Sequence, residues 1–174
     1  MSTIIFSKEE FESIKMLAIG RHFEKDQVIP HRDLQRWRNT QEEADLLGVM
    51  GEYGVAKYLK IPFDMSVNLT GDGGSYDMYL GDWSIQVKST KYDTGRLVFN
   101  SLDEIQALIN ILVVVDIEYK LVKIIGYLSK RDIKKCIYEK DLGHGIRYCI
   151  DQDQLKPISE LSFYYTEWKN LLLN

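Results

Sequence analysis

Between Tyr76 and Ser89 the chain reads YDMYLGDWSIQVKS, and its apolar and polar positions alternate. A period of two predicts β-strands. Gly81-Asp82 in the middle predicts a tight hairpin turn of the primed kind, which needs positive φ and so favours Gly and Asp. That turn sets the register: Leu80 faces Trp83, Met78 faces Ile85 and Tyr76 faces Val87. The opposite face pairs Tyr79 with Ser84 and Asp77 with Gln86, and Lys88 lies on it two residues further on, diagonal to Asp77. One face is apolar or aromatic and belongs in a core. The other gathers a carboxylate, an amide and an ammonium, as a plain wet hairpin face or as a site.

Longer periods appear on either side. Ser7-Lys8-Glu9-Glu10 is a capping box opening a helix to about Phe23, with Phe11, Ile14, Leu17 and Ala18 on one face. VIPHRDLQRWRN follows as a basic connector, and Thr40-Gln41-Glu42-Glu43 is a second capping box opening a helix to about Leu59, closed before Pro62. Residues 64–75, with Gly71, Gly73 and Gly74, read as loop. A strand is expected at Leu97–Phe99, then a helical turn or strand connection in SLDEIQALIN. Ile111–Ile117 and Lys120–Tyr127 form a second, Val- and Ile-rich hairpin. Ser129 caps a short helix to about Tyr138, Ile146–Ile150 is a short strand, and a helix covers 159–172 with Leu161, Tyr164, Tyr165, Trp168, Leu171 and Leu172. The expected class is α/β or α+β, with helices flanking a mixed, mostly antiparallel sheet. All 174 residues fit one domain: a helical part over 1–60, a sheet-containing core over 40–150 and the C-terminal helix.

Composition narrows the partners. A net charge of −4 excludes coating nucleic acid by bulk charge, though not local cationic clusters. Two clusters stand out, His31, Arg32, Arg36 and Arg38 in HRDLQRWR, and Lys130, Arg131, Lys134 and Lys135 in SKRDIKK; either could be an ordinary charge-mixed surface. The longest apolar run, ILVVV, is too short to cross a bilayer, and the start MSTIIFSKEE lacks the pattern of a signal peptide. Cys136 and Cys149, with His22, His31 and His144, show no zinc-ligand spacing. Free thiols in a reducing cytoplasm are the expectation.

The helix over 41–59 holds a carboxylate on its apolar side. Glu52 lies three and four residues before Val55 and Ala56, whereas Glu43 is about half a turn of the wheel away, on the solvent side. Burying an unpaired carboxylate costs several kcal/mol, so Glu52 needs a cation or a metal ion unless it reaches water at the edge of the face. Gly48, Gly51 and Gly54 around it each weaken a helix by about 1 kcal/mol, a loss offset if another element approaches closely. Glu52 with Asp77 and the Gln86 amide makes a set of hard oxygen ligands suited to Mg²⁺ or Mn²⁺. An adjacent Lys88 can fix a water or stabilise charge on a phosphate oxygen. This constellation serves metal-assisted phosphodiester hydrolysis.

On these residues the sequence resembles the PD-(D/E)XK nuclease superfamily, in particular its small phage-type or Mrr-like members. Glu52 stands within GEYGVAKYL, Asp77 within GGSYDMYL, and Gln86-Val87-Lys88 within SIQVKST. The motif covers roughly residues 40–100. Tyr76 replaces the proline before the aspartate, and Gln86 replaces an acidic residue, leaving fewer anionic ligands. The resemblance implies a restriction-endonuclease-like core and a divalent-metal-dependent DNA endonuclease. It implies Asp77 as central ligand, and Glu52 as a second ligand or the holder of a water. Gln86 would contribute its side-chain oxygen, Val87 its backbone carbonyl, and Lys88 would position the attacking water. Asp72 rivals Asp77 but lies in the Gly-rich stretch outside the hairpin register. Ser89, Thr90 and Lys91 could reach a phosphate or simply end the strand. DNA is the implied partner, and cutting two strands would favour a two-fold dimer. The alternative is a nuclease-fold module that binds DNA or a protein without cutting.

Overall fold

A computed structural model describes residues 1–28, 34–66, 76–143 and 145–172, with side chains over 1–21, 42–66, 76–143 and 145–165. Strand β1 (Ser2–Ile5) leads into helices α1 (Lys8–Val28) and α2 (Leu34–Leu59). The hairpin β2 (Met78–Leu80) and β3 (Trp83–Thr90) follows, then β4 (Leu97–Phe99), β5 (Ile109–Asp116) and β6 (Leu121–Ser129). Helix α3 (Lys130–Cys136), strands β7 (Tyr138–Asp141) and β8 (Ile146–Ile150), and helix α4 (Ile158–Leu172) complete the order. The class is α+β. A five-stranded mixed sheet runs β1-β6-β5-β3-β2, and a second sheet runs β4-β8-β7. In the larger sheet β3 and β5 are parallel and the other neighbours antiparallel.

Strand β5 is buried on both faces, which is why INILVVV reads as a nearly unbroken apolar run. Ile111, Val113 and Val115 join the cluster under α1 and α2, with Met78, Ile85, Val87, Val122 and Ile124. Leu112 points the other way, into a second cluster with Leu97, Phe99, Leu128, Ile133 and Ile150. The sheet therefore has the N-terminal helices on one face and the small sheet with α3 on the other.

The α1 capping box is reciprocal: Ser7 N donates to Glu10 Oε2 at 2.8 Å, and Glu10 N donates to Ser7 Oγ at 3.2 Å. Helix α2 corrects the expected boundary. It begins at Leu34, so the Thr40–Glu43 pattern lies inside it; no Gly or Pro stands between Leu34 and Leu47 to stop the helix sooner. Its other end falls as expected at Leu59, with Lys60 at φ 56 and Ile61 N donating to Ala56 O at 3.1 Å. Two strands were not anticipated. β1 pairs with β6, and β7, at the end of what reads as a short helix, pairs with β8. β7 (YEKD) is mostly polar, and its strand state comes from pairing rather than propensity. Cys136 and Cys149 are free thiols. No described helix is long and apolar enough to cross a membrane.

The glycines of α2 divide by contact. A Cβ on Gly51 would lie 2.0 Å from Ser89 Oγ and 2.8 Å from Val113 Cγ2, and one on Gly54 would lie 3.0 Å from Val122 Cβ. Helix α2 thus rests directly on β3, β5 and β6. A Cβ on Gly48 would meet nothing within 4 Å among the described residues outside its own turn of helix. Gly51→Ala should therefore destabilise the protein by about 1–3 kcal/mol through overpacking, while Gly48→Ala should stabilise it by up to about 1 kcal/mol. Urea unfolding of both variants checks this; equal effects would refute the close contact at Gly51.

Candidate functional site

The hairpin has the expected register, with Met78 opposite Ile85, Tyr79 opposite Ser84 and Leu80 opposite Trp83. Gly81 takes φ 60, and Asp82 does not adopt positive φ, which is the turn class with glycine first. Met78, Leu80, Ile85 and Val87 are buried. Tyr76 departs from expectation. It is half-buried, and its ring packs edge-on against Tyr79 at 5.9 Å instead of entering the core. Regular pairing stops at Met78, which leaves Asp77 and Tyr76 free to diverge from the ladder.

Asp77 uses that freedom. Its N–H donates to Ile85 O at 2.9 Å. Its carboxylate takes two hydrogen bonds on one oxygen: Val87 N donates to Oδ2 at 2.6 Å and Gln86 Nε2 at 2.7 Å. The carboxylate so replaces a backbone acceptor where the ladder ends. Among the described residues no group donates to Oδ1. Burial pushes the Asp77 pKa up, and the charge of Glu52 pushes it further, to about 7; the Val87 N–H, Lys88 and Gln86 pull the other way. Helix α2 packs on the face of β3 that carries Val87 and Ser89, and Gln86 and Lys88 lie on the other face; Asp77, at the end of the ladder, feels the charges of both Glu52 and Lys88.

Glu52 has the cation it needs. Arg21, on α1, brings Nη1 to 2.9 Å from Glu52 Oε2, and the Glu52 side chain is only 19% exposed. Arg21 also donates from Nη2 to Asp64 O at 3.4 Å and lies 5.8 Å from the Phe63 ring centroid. Lys88 has Nζ 3.6 Å from Glu104 Oε2 and 5.4 Å from the Phe99 ring centroid. Burial raises the Glu104 pKa, but the Asn100 side-chain and backbone donors and Lys88 outweigh it, so the group titrates below its ordinary value. Sequence reasoning missed both partners. Arg21 had a signal, since it lies on the α1 stripe three and four residues beyond Ala18 and Leu17. Glu104 had none, because it arrives in a short 3-10 turn, Leu102–Glu104.

The remaining candidates divide. Val87 engages Asp77 through its N–H. Ser89 Oγ is buried against Gly51 and has no hydrogen-bond partner among the described residues. Thr90 Oγ1 accepts from Tyr92 N at 3.3 Å, and Lys91 pairs with Glu43 at 3.0 Å. Asp72 and the side chains of the HRDLQRWR cluster lie outside the described residues. In SKRDIKK, Lys135 pairs with Asp132 at 2.8 Å and Lys130 reaches Gln106 Oε1 at 3.3 Å. Among the described residues no three His, Cys, Asp or Glu side chains cluster as metal ligands. Any ion here would be held by two carboxylates and an amide oxygen.

The Asp77 environment has a consequence for stability without metal. The folded pKa lies above the unfolded 3.8, at about 7, so the folded state keeps the proton to higher pH. Stability is fully present below the unfolded value and is lost as pH rises through the folded one. Asp77→Asn keeps an oxygen for the Val87 N–H and carries no charge. In EDTA it should be more stable than the native protein at about pH 8, with the gain shrinking towards about pH 4. Urea unfolding across that range tests this; a gain that does not change with pH would refute the raised pKa.

Compared with protein families, with curated proteins and with solved structures, the chain matches none.

Proposed function

We propose that the protein is a divalent-metal-dependent endonuclease hydrolysing DNA phosphodiester bonds, built on a restriction-endonuclease-like core. The observation that supports it best is the half-buried Asp77 carboxylate: one oxygen fixed by Val87 and Gln86, the other without a donor among the described residues, and the whole group under the influence of Glu52. Burial and the charge of Glu52 both disfavour the ionised Asp77, so a cation bound there would relieve both. The donor set suits a hard ion. By the PD-(D/E)XK resemblance Asp77 and Glu52 would hold the ion, with the Gln86 amide oxygen once its amide turns and the Val87 carbonyl.

Mg²⁺ or Mn²⁺ bound there supplies Lewis acidity towards a phosphate oxygen and lowers the pKa of a water. Lys88 lies on the same face and orients the attacking water, or stabilises charge developing on a non-bridging oxygen. The water oxygen bonds to phosphorus as its proton passes to solvent, one P–O ester bond breaks, and the leaving oxygen takes up a proton from solvent. Glu104 holds the Lys88 ammonium beside the site, and Arg21 fixes Glu52 from behind.

A second reading draws on those same ion pairs. Glu52 and Lys88 already have charged protein partners, as they would in a module that binds DNA or a protein without cutting.

A panel of linear, supercoiled, branched and single-stranded substrates with Mg²⁺ and with Mn²⁺ separates the two. Lys88→Met should retain the fold and most DNA affinity but slow cleavage by about 10²–10⁴-fold. Asp77→Ala should abolish cleavage and weaken Mn²⁺ binding in calorimetry. Unchanged cleavage by Lys88→Met would sink the mechanism, and equal Mn²⁺ binding would remove Asp77 from the site. DNA binding by the native protein with no cleavage of any substrate would establish the second reading.

A further inference from the structure

Beyond Lys88 the chain leaves β3, turns through Tyr92–Gly95, where Gly95 N donates to Tyr92 O at 2.8 Å, and enters β4 through Arg96. This connection and the turn after β7 enclose an open cleft of about 390 Å³, lined by Lys88, Thr90, Tyr92, Thr94, Arg96 and Leu142 among others. Lys88 belongs to both the cleft and the candidate site, whereas Asp77 and Glu52 do not line the cleft.

Three features of the lining point to one ligand chemistry. Tyr92 is 65% exposed with the Lys91 ammonium 5.9 Å from its ring centroid, so an aromatic side chain beside a further cation is offered to solvent at the cleft wall. Arg96 is held side-on: its Nε donates to Asp151 Oδ1 and, at 3.1 Å, to Tyr138 Oη. Among the described residues its terminal Nη groups make no hydrogen bond, so the part of the fork suited to phosphate is unspent. Thr90 and Thr94 add hydroxyls along the same wall. An aromatic platform beside cations and hydroxyls suits a polynucleotide whose bases are unstacked. A paired duplex hides its base faces from such a platform, and the cleft volume is in the range of single-ligand pockets. With a net charge of −4, affinity has to come from this local arrangement.

We propose that the cleft binds single-stranded polynucleotide, with a base stacked on Tyr92 and neighbouring phosphates on Arg96 and Lys88. The binding stands by itself. Its extension, that the nuclease acts on single strands or flaps leading past Lys88, rests on the function proposed above.

The test is fluorescence anisotropy in EDTA with labelled oligo-dT and oligo-rU of about 20 nucleotides, longer than common single-strand sites, and a duplex of equal length. The native protein should bind single strands more tightly than duplex. Tyr92→Ala should weaken that binding by about 5- to 150-fold, Tyr92→Trp should retain it, and Arg96→Gln should weaken it and flatten its salt dependence. Tyr92 is exposed, so an unchanged melting temperature accompanies the loss. Tighter binding of dT or of rU names the polymer; equal binding assigns the cleft to both. Single-strand affinity unchanged in Tyr92→Ala, or duplex bound at least as tightly, overturns the proposal. Lys88-dependent duplex cleavage indifferent to Tyr92→Ala would overturn the cleft and leave the nuclease standing. Tyr92-dependent binding with no cleavage would leave the cleft and remove the nuclease.

Discussion

Helix α2 lies on β3 with nothing but a glycine hydrogen between its backbone and Ser89. Everything in the candidate site depends on that approach. The hairpin alone supplies Asp77, Gln86 and Lys88, which could be merely a polar strand face. With α2 seated through Gly51 and Gly54, the next residue, Glu52, comes near enough for its charge to raise the Asp77 pKa. A bulkier residue at position 51 would displace the helix and separate the two carboxylates.

The charges around this contact compensate one another in a chain. Arg21 answers Glu52, the Val87 and Gln86 donors answer Asp77, and Glu104 answers Lys88. Asp77 is the weak link, because its donors are neutral and leave one oxygen unserved. Burial first and the Glu52 charge second raise its pKa, which marks a deficit of stabilisation for the charged form at one point in the array. The same deficit gives a cation, or a proton, somewhere to go.

Much of this was legible in the sequence, for reasons that vary by residue. The β2–β3 hairpin was readable because a period of two and a glycine turn jointly fix register. The inward Glu52 was readable from its spacing to Val55 and Ala56, and the crowding of glycines foretold a close contact. Arg21 obeys the same spacing rule on α1, and it is the cation that the position of Glu52 calls for. Glu104 and the sheet of β4, β7 and β8 were not readable, since non-local packing places them. The α2 start was misplaced because a capping-box string is also compatible with a helix interior when no Gly or Pro precedes it.

The contacts that make the site also differ in how far along the chain they reach. Asp77 and Val87 are 10 residues apart, whereas Arg21 and Glu52 are 31 apart. Loop-closure entropy grows only with the logarithm of length, so the longer closure costs about 1 kcal/mol more. The two halves nevertheless come undone in different ways. The carboxylate–hairpin half is closed by its own turn and persists while β2 and β3 stay paired. The Glu52 half belongs to the α1–α2 layer, and a local opening that lifts this layer removes the second carboxylate while leaving the first in place. The nearness of the two carboxylates is therefore a property of tertiary docking.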